Sequence, residues 1–198
     1  MTTVHKLPLS YYQQNSLTLA KDLLGKYLVH VSDEGKTVGK IVETEAYRGP
    51  LDAAAHSYSG KPTERTKIMF GLGGYVYIYL IYGMHYCMNI VAGAAGFPEV
   101  VLLRALEPLD GIPLMKQRRK TDKLLNLCSG PGKLCAAMGI TKKQYGISLC
   151  SPELHLLDGE KVAEDMIART PRINIGYSGE AVDYPWRYII KESKFISV

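Results

Sequence analysis

A stretch without a single Asp, Glu, Lys or Arg, from Gly71 to Pro98, sets the strongest condition on how this chain can fold. It is long enough to cross a bilayer as a helix. Its pattern argues otherwise, because Tyr75, Tyr77 and Tyr79 alternate with Val76, Ile78 and Leu80, the two-residue period of a strand. Five tyrosines, His85 and Asn89 also sit poorly against lipid. The stretch reads as a β-hairpin in which Gly83 supplies the turn and Tyr82 stands at the tip.

Composition limits what surrounds that hairpin. The chain has 198 residues, 46% apolar and 22% charged, which excludes collagen, disordered tails and low-complexity sequence. A length a little above the usual domain size of about 150 residues predicts one domain over residues 1–198. Fourteen Tyr against three Phe and one Trp supply rings that stack while keeping a wet hydroxyl. A formal charge of +5 suits a polyanionic partner without requiring one. Cys87, Cys128, Cys135 and Cys150 form no C-x-x-C pair and read as reduced thiols. The first residues, Met1 to Gln14, carry no visible export signal, so the expected compartment is the cytoplasm, with no membrane association.

Leu17, Ala20, Leu23 and Leu24 follow the possible cap Ser16 at helical spacing and end at Gly25. Tyr27–Val31 and Val38–Tyr47 read as strands around the connection Asp33-Glu34-Gly35-Lys36, with His30 as a plain strand residue. Arg48 to Phe70 reads as a long surface loop, a kind often functional. Val100–Leu106 is a further strand, and Pro113 opens a helix through Met115 and the basic run to Lys120. Ser129 precedes a short helix closed by Gly139; Lys161–Arg169 reads as a helix; Ile173, Ile175 and Trp186–Ile190 suggest closing strands. The expected fold is α+β: one compact domain with a mostly antiparallel, curved sheet, a protruding β-hairpin and surrounding helices.

In ETEAYRGPLDAAAH, residues 43–56, the strand period puts Glu43, Glu45 and Tyr47 on one face. A carboxylate beside an aromatic plane can activate water while the plane holds a flat substrate, yet on pattern alone such a Glu is more often a solvated or ion-paired strand residue. Tyr82 at a hairpin tip is placed to enter a DNA stack as a wedge. Tyr75 and Tyr77 fit an aromatic ladder along the hairpin. Ser129-Gly130-Pro131-Gly132 could offer N–H groups to a phosphate or be a cap and turn. Lys116, Arg118, Arg119, Lys120 and Lys123 suit phosphate contact and a solvated face equally. His85 and Cys87 lack ligand partners at zinc spacing, so no metal is expected.

Taken in order, ETEAY with the following GP and AAH, YIYLIYGMHYCMNI, VLLRALEP at 101–108, CSGPGKLC at 128–135 and the run from Arg172 to Trp186 resemble the alkyladenine (3-methyladenine) DNA glycosylases of the mammalian type, which include bacterial members. The resemblance spans most of the chain. It implies that Glu45 is the general base activating the water that attacks the sugar C1′, that Arg104 helps hold this water, and that the backbone carbonyl of Ile173 completes its coordination. It implies that Tyr47 stacks on one face of a flipped base, that His56 and Tyr79 line the other side, and that Asn89 contacts the base edge and disfavours normal guanine. Tyr82 takes the position of the intercalating residue. Glu43 has no matching role and reads as structural. The resemblance further implies a monomer acting on duplex DNA with damaged purines, without a cofactor and by a monofunctional route, since no lysine in a matched block suggests Schiff-base chemistry. Segment 141–160 departs from the family's pattern.

Two rival readings need fewer of these residues. A non-catalytic module stacking single-stranded bases would not need Glu45, Arg104 and Asn89 together. A hydrolase of free nucleosides would have little use for a projecting Tyr82 or a basic surface.

Overall fold

A computed structural model describes residues 5–197. Helix α1 spans Ser16–Asp22, and strands β1 (Tyr27–Ser32) and β2 (Gly35–Tyr47) form the first hairpin. Strands β3 (Val76–Ile81) and β4 (His85–Ala92) form the second, followed by β5 (Glu99–Asp110), α2 (Ile112–Arg119) and α3 (Pro131–Met138). The short strands β6 (Leu154–Leu157), β7 (Ile167–Thr170) and β8 (Arg187–Ile190) complete one sheet in which every described pairing is antiparallel. Its order is β3-β4-β5-β2-β1-β6, with β8 joining β2 and β7 joining β8. The fold is α+β, and among the described residues no helix is long and apolar enough to cross a membrane.

The long β2 is the spine. Its first half pairs with β1, its second half with β8, and β5 runs along its other edge. Because side chains alternate across a strand, Ala46, Val76, Ile78, Met88, Ile90, Val101 and Leu103 fall on one face, in the same buried cluster as Leu19 and Leu23 around α1 and Leu134 and Met138 of α3. Thr44 joins this face by donating its hydroxyl to the Ala20 carbonyl at 2.7 Å. The opposite face carries Glu43, Glu45, Tyr47, Tyr77, Tyr79 and Asn89.

Several local expectations need correction. The side chain that caps α1 is Asn15, which accepts from the Thr18 N–H, while Ser16 is inside the helix and donates to Glu99. The first hairpin turns on Asp33-Glu34 alone, because Gly35 already pairs with Ser32. Residues 161–169 are not a helix: a single 3-10 turn at Glu164–Met166 leads into β7, whose backbone is claimed by β8. Ile173 and Ile175 lie in the β7–β8 connection and not in strands. The segment from Arg48 to Phe70 is no simple surface loop, since it buries Asp52, Ala54, Ala55, Ser57 and Met69 against the polar side of the sheet.

Candidate active site

Glu45 is completely buried in the second half of β2, opposite Leu102 of β5 and Arg187 of β8. The β2–β5 ladder is irregular here. Ile41 pairs with Leu106, Glu43 with Ala105 and Thr44 with Leu103, so Val42 is an extra residue on β2 and Arg104 one on β5. Such bulges re-aim side chains. Arg104 donates from Nε to Glu43 Oε1 at 2.9 Å and places its Nη1 3.3 Å from Glu45 Oε1.

Two further donors reach the Glu45 carboxylate. Tyr47, two residues on and on the same face, donates its hydroxyl to Oε2 at 2.8 Å, and Ile173 donates its backbone N–H to Oε1 at 2.8 Å. Asn174, at φ +60°, turns the chain immediately after that contact, a conformation Asn tolerates better than most residues. Burial and the neighbouring Glu45 charge push the Tyr47 phenol well above its ordinary pKa, so it stays a neutral donor.

A buried pair that sequence reasoning passed over frames this arrangement. Asp52 Oδ2 and Oδ1 accept from Arg172 Nη1 and Nη2 at 2.6 and 2.8 Å, with both side chains fully buried. Asp52 also accepts from the N–H groups of Arg48 and Ala54, folding the segment after Tyr47 into a tight turn. Gly49 makes the swing possible: at φ +62°, a Cβ there would stand 2.8 Å from the Pro98 carbonyl oxygen. The pair thus fastens the loop that delivers His56 to the loop that delivers Ile173. The Arg172 guanidinium also covers one face of the Tyr47 ring, 4.6 Å from its centroid.

Beside Tyr47 lies a narrow slot of about 40 Å³, lined by Tyr47, His56, Tyr77, Tyr79, Asn89 and Tyr177, with Ala54, Met69 and Val100. Four of the predicted substrate-binding residues therefore meet in one place. His56 Nδ1 shares a 2.9 Å hydrogen bond with the Tyr77 hydroxyl, which also accepts from Arg65 Nε at 3.1 Å. Desolvation, aided by Arg65, lowers His56 to about 4, so the ring is neutral at neutral pH. Its ring stands nearly perpendicular to Tyr79, centroids 4.5 Å apart. Asn89 is buried and anchored by a 3.3 Å bond from Nδ2 to the Tyr77 carbonyl. Tyr77, which its alternation assigned to a structural ladder, is a slot wall, and Tyr177 was not singled out at all. A larger hollow of about 350 Å³ between the start of β4 and α3 includes none of the predicted site residues.

Tyr82 is 76% exposed at the tip of the β3–β4 hairpin, flanked by the exposed Met84. Tyr82 and Gly83 both have positive φ, +53° and +68°, and the Met84 N–H closes the turn on the Ile81 carbonyl. The basic run behaves less uniformly than its composition suggests. Arg118 binds Glu34, Ser32 and the Ala137 carbonyl, and Arg119 binds the carbonyls of Asn126 and Leu127, so both are tied into the fold. Lys116 lies 3.4 Å from Asp122, which leaves Lys120 and Lys123 without an ion pair among the described residues. The Ser129-Gly130-Pro131-Gly132 turn opens α3 with Gly130 as its cap residue.

Comparison with known proteins points the same way. The sequence profile of the family described as methylpurine-DNA glycosylase matches residues 10–194. A protein of Bacillus cereus (strain G9842) named "Putative 3-methyladenine DNA glycosylase" is 51% identical, the match covering 96% of this chain and 98% of that protein. One of Bacillus mycoides (strain KBAB4) with the same name is 50% identical over the same shares.

Proposed function

Because the chain belongs to the methylpurine-DNA glycosylase family and is a DNA N-glycosylase, we propose that it removes 3-methyladenine and 7-methylguanine from duplex DNA by a water that Glu45 activates. The observation that carries this reading is the Glu45 carboxylate, buried and held by Arg104, Tyr47 and the Ile173 N–H beside the ring-walled slot. The carboxylate accepts from the Tyr47 hydroxyl and the Ile173 N–H and lies 3.3 Å from the Arg104 guanidinium, contacts that hold it in one orientation toward a water.

A base within a duplex hides its glycosidic bond, so the damaged nucleotide must first rotate outward at a cost of a few kcal/mol. Stacking contributes about 1–3 kcal/mol per base, and Tyr47, with Arg172 already on its other face, offers the flipped ring one free surface. His56 and Tyr79 bound the far side, Asn89 meets the base edge, and Tyr82 fills the vacated stack. Glu45 then takes a proton from water as the new C1′–O bond forms and the C1′–N bond breaks, its charge also stabilising the oxocarbenium-like sugar. The purine leaves with the bonding pair. A cationic methylated purine leaves readily and rests favourably between phenol rings. The Ile173 carbonyl and Arg104 hold the attacking water in this scheme. Excision starts base excision repair, performed by a monomer in the cytoplasm.

The test uses duplexes that each hold one lesion type, incubated with the protein and then treated with mild alkali to reveal abasic sites. Glu45→Gln is expected to abolish excision while damaged-duplex binding persists. Excision that survives in this variant overturns the assignment of Glu45.

A further inference from the structure

The buried charges around Glu45 continue past Arg104. Glu43, also completely buried and on the same strand face, collects four donors. Its Oε1 accepts from Arg104 Nε at 2.9 Å, Arg187 Nε at 2.7 Å and the Ser197 hydroxyl at 2.7 Å, and its Oε2 accepts the Ser197 N–H. Arg187 in turn donates to the Ser197 carbonyl at 3.4 Å and to Thr170 Oγ1 at 3.5 Å. In the β2–β8 ladder, however, Arg187 stands opposite Glu45 and not Glu43.

Charge counting gives this cluster its meaning. Among the described residues, Arg104 is the one guanidinium within salt-bridge distance of both carboxylates. Two acids sharing a single cation in a dry site would leave one negative charge unmatched, and the cheapest relief is for one acid to keep a proton. The other groups facing Glu45 cannot supply the missing charge. Tyr47 on β2, Tyr79 on β3 and Cys87 on β4 are pushed upward by burial and stay neutral, Ile173 offers an N–H, and Arg172 is matched by Asp52. Among the described residues, Arg187 makes the count even.

We infer that Arg187, which donates to the Ser197 carbonyl and to Thr170, is a positioning residue that takes up the charge of Glu43 and so frees Arg104 for Glu45. The inference rests on Glu45 being the base. It implies that removing the Arg187 charge lets the site take up a proton at higher pH.

The experiment measures single-turnover excision from a duplex holding one methylated purine across pH, for Arg187→Gln, Arg187→Met, Arg187→Lys and Glu45→Gln. Arg187→Gln is expected to move the acid limb of the rate upward by about one pH unit or more, the size of shift that one nearby charge produces. Arg187→Lys should restore most of that displacement, since it returns the charge with a poorer fork. Circular dichroism melting reports whether each variant folds; should Arg187→Gln fail to fold, the apolar and equally uncharged Arg187→Met is expected to show the same upward shift. A folded Arg187→Gln with an unmoved acid limb overturns the inference, even if its rate drops, and an unmoved limb in Arg187→Met does so where only that variant folds. Residual excision by Glu45→Gln would instead overturn the reading beneath it, so the two failures are told apart.

Discussion

The two faces of the central sheet are built from the same strands and put burial to opposite ends. Against α1 and α3, Ile78, Met88, Ile90, Val101 and Leu103 form an apolar layer in which each side chain contributes about 1.5–3 kcal/mol by leaving water. One residue along each strand, the other face buries Glu43, Glu45, Asn89 and Arg104, groups that destabilise unless each is matched. The first face tolerates exchange of one apolar shape for another at modest cost. The second holds only as a complete set, because a buried charge left without its partner is costly.

Substitutions on either side can break this division. Asp52→Asn removes the charge partner of a fully buried guanidinium and is expected to cost about 3–5 kcal/mol, read as a lowered urea midpoint. A loss below about 1 kcal/mol, the level of an exposed pair, would show that the polar face does not depend on this clamp. Leu103→Ala should cost about 2–5 kcal/mol through its cavity, yet leave the excision rate per folded molecule unchanged. A rate loss beyond the folded fraction would mean that the faces are coupled. The smallest effect concerns acid. His56 is lowered from 6.5 to about 4, so the folded state resists its protonation; the stability this gives is present above about 6.5 and is lost as pH falls toward 4. His56→Gln should flatten that part of the stability–pH curve, and an unaltered slope would place the loss elsewhere.

The apolar face was largely legible in the sequence, since period-two alternation over residues 75–80 and 100–106 marks strands whatever they pack against. The pattern of Glu43, Glu45 and Tyr47 likewise gave a shared face, and the contacts of all three lie there. What alternation cannot announce is a bulge: Arg104 is aimed by one extra residue on β5 after another on β2, and neither leaves a compositional trace. Asp52 and Arg172 are 120 positions apart, so nothing local couples them, although Asp before small residues is itself a turn signal. Residues 161–169 failed for the reverse reason: their local helical spacing was overruled by a distant strand, β8, needing a partner. Arg118 and Arg119 looked free because the carbonyls and Glu34 that hold them come from other elements.

The backbone of Tyr82 repays a last thought. A bulky side chain rarely accepts a left-handed conformation, and here it does so beside Gly83 in a three-residue turn fixed by two long strands. If Tyr82 is the wedge proposed above, its backbone is set before any nucleic acid arrives and has little freedom to forfeit on entering a duplex. Under that proposal discrimination falls to the duplex itself: with the probe constant at every step, a weakly stacked pair yields sooner than a sound one.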